Sequence, residues 1–275
     1  MALVVNTNIA SINAQRNLEV NTNSLNGSVA RLSSGLRITR AADDAAGLGI
    51  SETLRAQIRS INQAARNAND GISLLQIADG GAANIGNLLG RLRELAEQSA
   101  SGILGATERS YLDQEFVALR SEIDRIASVT EFNNVKLLSG SDNNSLSIQI
   151  GFRSSSNDTL SIALNDLTTS DLSLSSVNVS TSSGALSALS NIDSAISAVA
   201  SARATIGSLQ NRIDAAVQNL QVANENITAA ESRIRDADIA FETSQFVRNQ
   251  ILVQAGTSIL AQANTLPQQA LALLQ

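Results

Sequence analysis

Between residues 192 and 234 an aliphatic side chain returns at every seventh position: Ile192, Val199, Ile206, Ile213, Leu220, Ile227 and Ile234. Leu209, Ala216, Ala223 and Ala230 follow at an offset of three. Two apolar positions per seven residues form a stripe on an α-helix, and that stripe stays in register only along another helix. Six unbroken heptads therefore predict a helix over about 186–235, roughly 75 Å long at 1.5 Å per residue. Such a helix needs a partner of similar length.

The partner is legible upstream. Apolar residues recur at three and four from Ile50 through Leu54, Ile58 and Ile61, on through Ala65, Ala68, Ile72 and Leu75, to Leu92 and Ala96. This predicts a helix over about 45–99, roughly 80 Å long. Gly80, Gly81, Gly86 and Gly90 interrupt it, each weakening the helix or marking a close neighbour. A shorter helix is expected from about Thr107, with Leu112, Phe116, Leu119, Ile123 and Ile126 on one face. Its end is marked by "EFNNVKLLSG", in which Asn133, Asn134 and Gly140 read as turns.

Residues 139–184 change character: nineteen of the 46 are Ser or Thr, too polar for a helical seam. Alternation in "SLSIQIGF" and "TLSIALND" predicts a β-hairpin turning around "RSSSND". The stretch "DLSLSSVNVSTSSG" reads as an exposed loop or short strand. Composition agrees with a helical reading. The chain is 43% hydrophobic but 2% aromatic, so Leu, Ile, Val and Ala must fill its core, and a single proline, Pro267, leaves long helices unbroken. The fold class expected is mainly α: a long antiparallel coiled-coil-like helix bundle with a small β-hairpin.

Residues 1–15 and 249–275 contain no charged side chain, although the extremities of a domain are usually its best-solvated part. Leu18, Leu25, Val29 and Leu32 share a helical face in the first segment. Val247, Ile251, Ala255, Ile259, Ala263, Leu266 and Ala270 share one in the last. An antiparallel arrangement brings both segments together and sets Asp43 beside about Arg235. It divides the chain into 1–43 plus 236–275 and an intervening 44–235. Two helices bury little, and Leu252, Leu260, Leu271 and Leu274 lie on further faces of the last segment. Apolar residues on more than one face expect burial against other copies or a partner, with ordering on assembly. Ile9 and Ile12 join this candidate assembly set.

The stretches "VNTNIASINAQRNL", "RLSSGLRITRAADDAAGLGISE", "LRELAEQSASG", "EFNNVKLL", "ESRIRDADIAFETS" and "QAGTSILAQANTLPQQALALLQ" resemble those of bacterial flagellin, in family order over most of the chain. The resemblance implies an inner layer from the two terminal segments and an outer layer from the intervening helices. Larger flagellins insert variable outer domains near 139–184, so this chain resembles a minimal form. The resemblance further implies a non-enzymatic subunit of an extracellular helical homopolymer for motility. It implies unfolded export through the flagellar type III apparatus, an export chaperone bound at about 236–275, and filament cap and hook-junction proteins as partners. A hook–filament junction protein, which shares the terminal architecture, and a secreted helical host-binding module are the alternatives.

The same resemblance assigns Arg91, Leu95 and Glu115 to the surface read by the Toll-like receptor for flagellin, with the Arg as anchor, the Leu for a pocket and the carboxylate nearby. Subunit packing is the competing role of that surface. The connector Ser33, Ser34 and Gly35, with Asp43 and Asp44, is the expected hinge, linked by the resemblance to filament polymorphism. From the residues alone, Asp43 and Asp44 read as helix N-caps rather than an acid–base pair, because chain neighbours diverge.

Other chemistry finds no residues to carry it. With no Cys and no His, disulfides, thiolates, zinc fingers and imidazole bases are excluded. No Walker loop surrounds the sole lysine, Lys136, and no cofactor is expected. A net charge of -6 argues against nucleic acid. The start lacks the basic and apolar regions of a secretory signal, and Gln254, Gln262, Asn264, Gln268 and Gln269 argue against membrane insertion of the uncharged segment. Glycosylation of 139–184 stays open.

Overall fold

Along the first long helix, two interleaved heptads are buried. Ile61, Ala68, Leu75, Ala82, Leu89 and Ala96 form one; Ala64, Gly71, Ala78, Ile85, Leu92 and Ser99 form the other. These rows face the stripe of Ile192, Val199, Ile206, Ile213 and Leu220, all buried, with Ala195, Ala202 and Leu209 beside them. Small residues alternate with Leu and Ile in the first row, and the second mixes Ala, Gly and Ser with Ile85 and Leu92, so large side chains of one helix can fit between those of the other. Ala65 and Ile72, expected on the seam, are only half-buried, and Ile50 is exposed.

The computed structural model describes residues 7–140, 146–153 and 155–272, with side chains described through Thr265 in the last helix. The helices are α1 (Ile9–Ser34), α2 (Ala45–Ala100), α3 (Ala106–Val129), α4 (Ser182–Arg235) and α5 (Ile239–Ala272). The short strands are β1 (Glu131–Phe132), β2 (Val135–Lys136), β3 (Leu146–Gln149) and β4 (Thr159–Ile162). Two compact units form. One comprises residues up to Ala56 with those from Asn226 onward, and the other runs from Gln57 to Glu225. Both α2 and α4 contribute to both units.

In the second unit α2 and α4 run antiparallel. Arg93 pairs with Asp193 at 2.8 Å, Arg203 with Asp79 at 2.8 Å, and Asn224 with Asn62 at 3.4 Å. Phe116, Ile123 and Ala127 of α3 enter the same core. The expected hairpin is present, with Leu146 opposite Ile162 and Gln149 opposite Thr159. A second hairpin, β1–β2, was read only as turns. Its two linking residues, Asn133 and Asn134, both take positive φ (51° and 64°), the geometry of a tight two-residue hairpin turn. Gly81 lies where a β-carbon would meet Leu138 and Thr130 at 2.7 Å. Close approach by the segment after α3, rather than by a helix, explains this glycine.

The stretch 171–184 departs from expectation. It contains no strand before α4 begins at Ser182, and it is not an exposed loop: Leu172, Leu174, Val177 and Val179 are buried in the core. Side chains of α3 replace the missing strand partners. Asp124 accepts hydrogen bonds from the Thr169 amide and hydroxyl at 2.8 and 2.7 Å. Asp113 accepts from the Val179 amide at 2.8 Å, and Arg120 donates to the carbonyls of Leu174 and Val177. The Ser and Thr residues between the buried apolar ones face solvent, which is why composition alone suggested a loop.

Candidate functional site

Helices α1 and α5 pair antiparallel. Asn8 donates to the Ala263 carbonyl at 2.8 Å, the Ser11 hydroxyl lies 2.8 Å from Asn264 Oδ1, and Arg31 lies 3.7 Å from Glu242. The α1 side of the seam carries Ser11, Ala14, Leu18, Leu25, Ser28 and Leu32, buried or half-buried in heptad order. Leu18 and Gly256 pack closely across it. The expected face of α1 is thus present, except that Val29 is exposed.

On α5 the seam is a different face from the one expected, the two meeting at Ala263 among the described residues. Glu242, Phe246, Asn249, Val253, Gly256, Leu260 and Ala263 are the buried or half-buried positions. Val247, Ile251, Ala255 and Ile259 point to solvent, with Ile251 and Ile259 each 60% exposed. The reason is geometric: a strict spacing of four drifts about 40° per step on a helix of 3.6 residues per turn, whereas alternating four and three holds a line. Of the two heptad rows in that seam, Phe246, Val253 and Leu260 form the apolar one, and Glu242, Asn249 and Gly256 the polar or small one.

The pair therefore also presents large apolar residues outward. Ile9 and Ile12 on α1, and Ile251, Leu252 and Ile259 on α5, are exposed, and Leu260 is half-buried. Leu266 and Leu271 fall within α5, but their side chains, and Leu274 altogether, lie outside the described residues. These outward aliphatic residues leave apolar area that only burial beyond the pair can cover.

The connector is built from local hydrogen bonds. Ser33 and Ser34 close α1, and Gly35 follows at φ 71°, donating its N–H to the Arg31 carbonyl at 2.8 Å. That left-handed C-cap suits glycine. Leu36 then bridges Asp236, and the Arg37 amide donates to the Arg235 carbonyl at 2.6 Å. Asp43 lines a cavity with Ala237 and Asp238, while the ion-pair partner of Arg235 is Glu52, at 2.7 Å. Asp44 is the N-cap expected, accepting from the Gly47 amide at 2.8 Å. Asp43 caps the turn rather than the helix, accepting from the Thr39 hydroxyl and the Thr39 and Arg40 amides.

Those contacts hold the Asp43 carboxyl below its ordinary 3.8, the Thr39 hydroxyl contributing most and the Arg40 amide next. A depressed value means that the turn keeps its full strength above about pH 4 and loses it only as pH falls through the lowered pKa. The Thr39 and Arg40 amide shifts are accordingly expected to titrate with a midpoint below 3.8. In Asp43→Asn that acid titration should vanish; its persistence would assign it to another group.

In the second unit, Arg91 clamps two carboxylates. It donates to Glu94 at 2.8 Å within α2, and to Glu115 of α3 at 3.1 and 2.9 Å. Glu94 first and Glu115 second raise the already high Arg91 pKa. Leu95 does not share this surface: only 1% exposed, it packs in the core between Leu92 and Ala96. Among the described residues no group of three or more His, Cys, Asp or Glu is arranged to hold a metal ion. Nor is any described helix long and apolar enough to cross a membrane.

The architecture can be set beside known proteins. The family model for the bacterial flagellin N-terminal helical region matches residues 5–143, and that for the C-terminal helical region matches residues 189–274. The chain belongs to the bacterial flagellin family. It is 42% identical over 273 residues to a flagellin of Halalkalibacterium halodurans, spanning 99% of this chain and 100% of that one. It is 40% identical over 286 residues to the flagellar filament 33 kDa core protein of Treponema phagedenis, spanning 99% and 100%. A crystal structure of Bacillus cereus flagellin, 34% identical, superposes with a TM-score of 0.51 over 56% of this chain and 88% of that one. The two family matches leave only 144–188 between them, so this flagellin lacks a large variable middle domain.

Proposed function

We propose that the chain is a structural subunit that polymerises into an extracellular flagellar filament for motility. The observation that carries this reading is the outward apolar face of the α1–α5 pair, centred on Ile251 and Ile259. Full burial of an aliphatic side chain stabilises by about 1.5–3 kcal/mol, and this pair leaves much of that gain unrealised until another copy covers it. A seam that also carries Ser11, Ser28, Glu242, Asn249 and Gly256 supports a pair that gains stability on assembly. Export through the type III apparatus, a chaperone covering 236–275, and cap and hook-junction partners belong to the same reading, since an exposed apolar segment needs protection before assembly. Expressed in a bacterium lacking its own flagellin, the chain is expected to be exported and to restore filaments and swimming. Export without filament growth would contradict the assembly role.

Recognition by the Toll-like receptor for flagellin is supported by the exposed Arg91–Glu115 pair, which offers a fixed guanidinium and carboxylate side by side. Leu95, being buried, supports that surface from beneath instead of filling a receptor pocket. Arg91→Ala is expected to abolish signalling by the monomer while leaving its helical content unchanged, as measured in a receptor reporter assay beside circular dichroism. Unchanged potency would leave the pair as a surface clasp between α2 and α3. The connector around Gly35, Asp43 and Asp44 is proposed as the hinge, because each of its turns is held by a few local hydrogen bonds.

A further inference from the structure

Helix α5 and the residues that follow it carry only two charges, Glu242 and Arg248. Each lacks what the other offers. The Glu242 carboxylate is buried, 5% exposed, with Arg31 3.7 Å from Oε2 and no hydrogen-bond partner on Oε1. A buried carboxylate without full partners is strongly disfavoured. Arg248 is exposed, with no ion-pair partner among the described residues, on the outward apolar face beside Val247 and Ile251. When that face is covered, Arg248 is desolvated and needs an anion.

The two cannot meet within one helix. Six residues apart, they stand roughly 120° apart around the axis and about 9 Å apart along it. Glu242 lies instead in a groove of ≈ 580 Å³ between α1 and α5, bordered by Val20, Ser24, Arg31, Phe241 and Gln245. An adjoining cavity of ≈ 300 Å³ shares Arg31, Phe241 and Glu242. Together the two cavities are lined by four carboxylates, Asp43, Asp44, Asp238 and Glu242, against three guanidinium groups, Arg31, Arg37 and Arg40. The other three carboxylates already accept backbone hydrogen bonds. The excess is negative, and Glu242 is the group left to be served.

We propose that Arg248 of one copy enters this groove in a second copy and pairs with Glu242. Exposed Phe241 and Val20 at the rim would meet the apolar residues flanking Arg248. Taken head-to-tail, with each copy offering one group to each neighbour, the contact builds an open polymer rather than a closed dimer. This inference rests on the assembly reading above.

The test is a double-mutant cycle on seeded filament growth, read as the critical monomer concentration. Glu242→Gln and Arg248→Gln are each expected to raise it by about tenfold, as for a desolvated charge pair between proteins. The double variant should be no worse than either single, because the same contact is lost once. Additive losses, roughly a hundredfold together, would mean that Glu242 is served by Arg31 alone and would overturn the contact. Arg248→Gln changes an exposed side chain and keeps the test decisive if Glu242→Gln fails to fold; unchanged growth of that single variant also overturns it. Failure of the unaltered chain to grow on seeds would overturn the assembly reading itself, which separates the two.

Discussion

Replacing Ile251 and Ile259 together by serine is expected to raise the critical concentration for filament growth roughly 30- to 700-fold, corresponding to about 2–4 kcal/mol of lost apolar burial. Both residues are 60% exposed in the single chain, so its thermal unfolding should scarcely change. That combination separates the outward face from the seam. Substitution of Leu18, which packs against Gly256 of α5, should weaken the helix pair itself. Sedimentation of seeded mixtures beside a melting curve of the unassembled protein measures both quantities. A fall in melting temperature without a change in growth would place Ile251 and Ile259 inside the monomer's own packing.

Phe116→Ala is expected to destabilise the second unit by about 3–5 kcal/mol, the usual cost of deleting a buried ring with little relaxation. Phe116 is fully buried among α2, α3 and α4 side chains, in a core with few other aromatics to close the gap. Chemical denaturation followed by helical signal should show the loss. The α1–α5 pair, which shares no core residue with Phe116, should keep its own exchange protection. An effect below about 1 kcal/mol would mean that the site collapses around the cavity.

Much of this architecture was legible because its signals are periodic. The heptads of α4 are written in Ile, Val and Leu, and the 146–162 hairpin in strict alternation. Where the structure differs, polar or small residues occupy the positions that matter. The α5 seam pairs the row Phe246, Val253 and Leu260 with Glu242, Asn249 and Gly256, so only one of its two rows is apolar, and it competes with the row of Val247, Ile251 and Ile259, which faces out. Leu95 looked available for a partner, yet it sits one step from Ala96 on the buried rows of α2. The burial of Leu172, Leu174, Val177 and Val179 depends on Asp113, Arg120 and Asp124 of α3. No local pattern announces contacts made across that separation. Asn133–Asn134 was the missed local cue, since two adjacent residues that tolerate positive φ between Phe and Val mark a hairpin turn.

The filament reading places its driving force in the uncharged segment from Asn249 onward. The most direct measurement is electron microscopy of purified chain incubated with short filament seeds, beside a version ending at Arg248. Long filaments from the full chain, and none from the shortened one, are the predicted result. Equal growth of both, or a full chain that stays monomeric with protease-resistant ends, would contradict it.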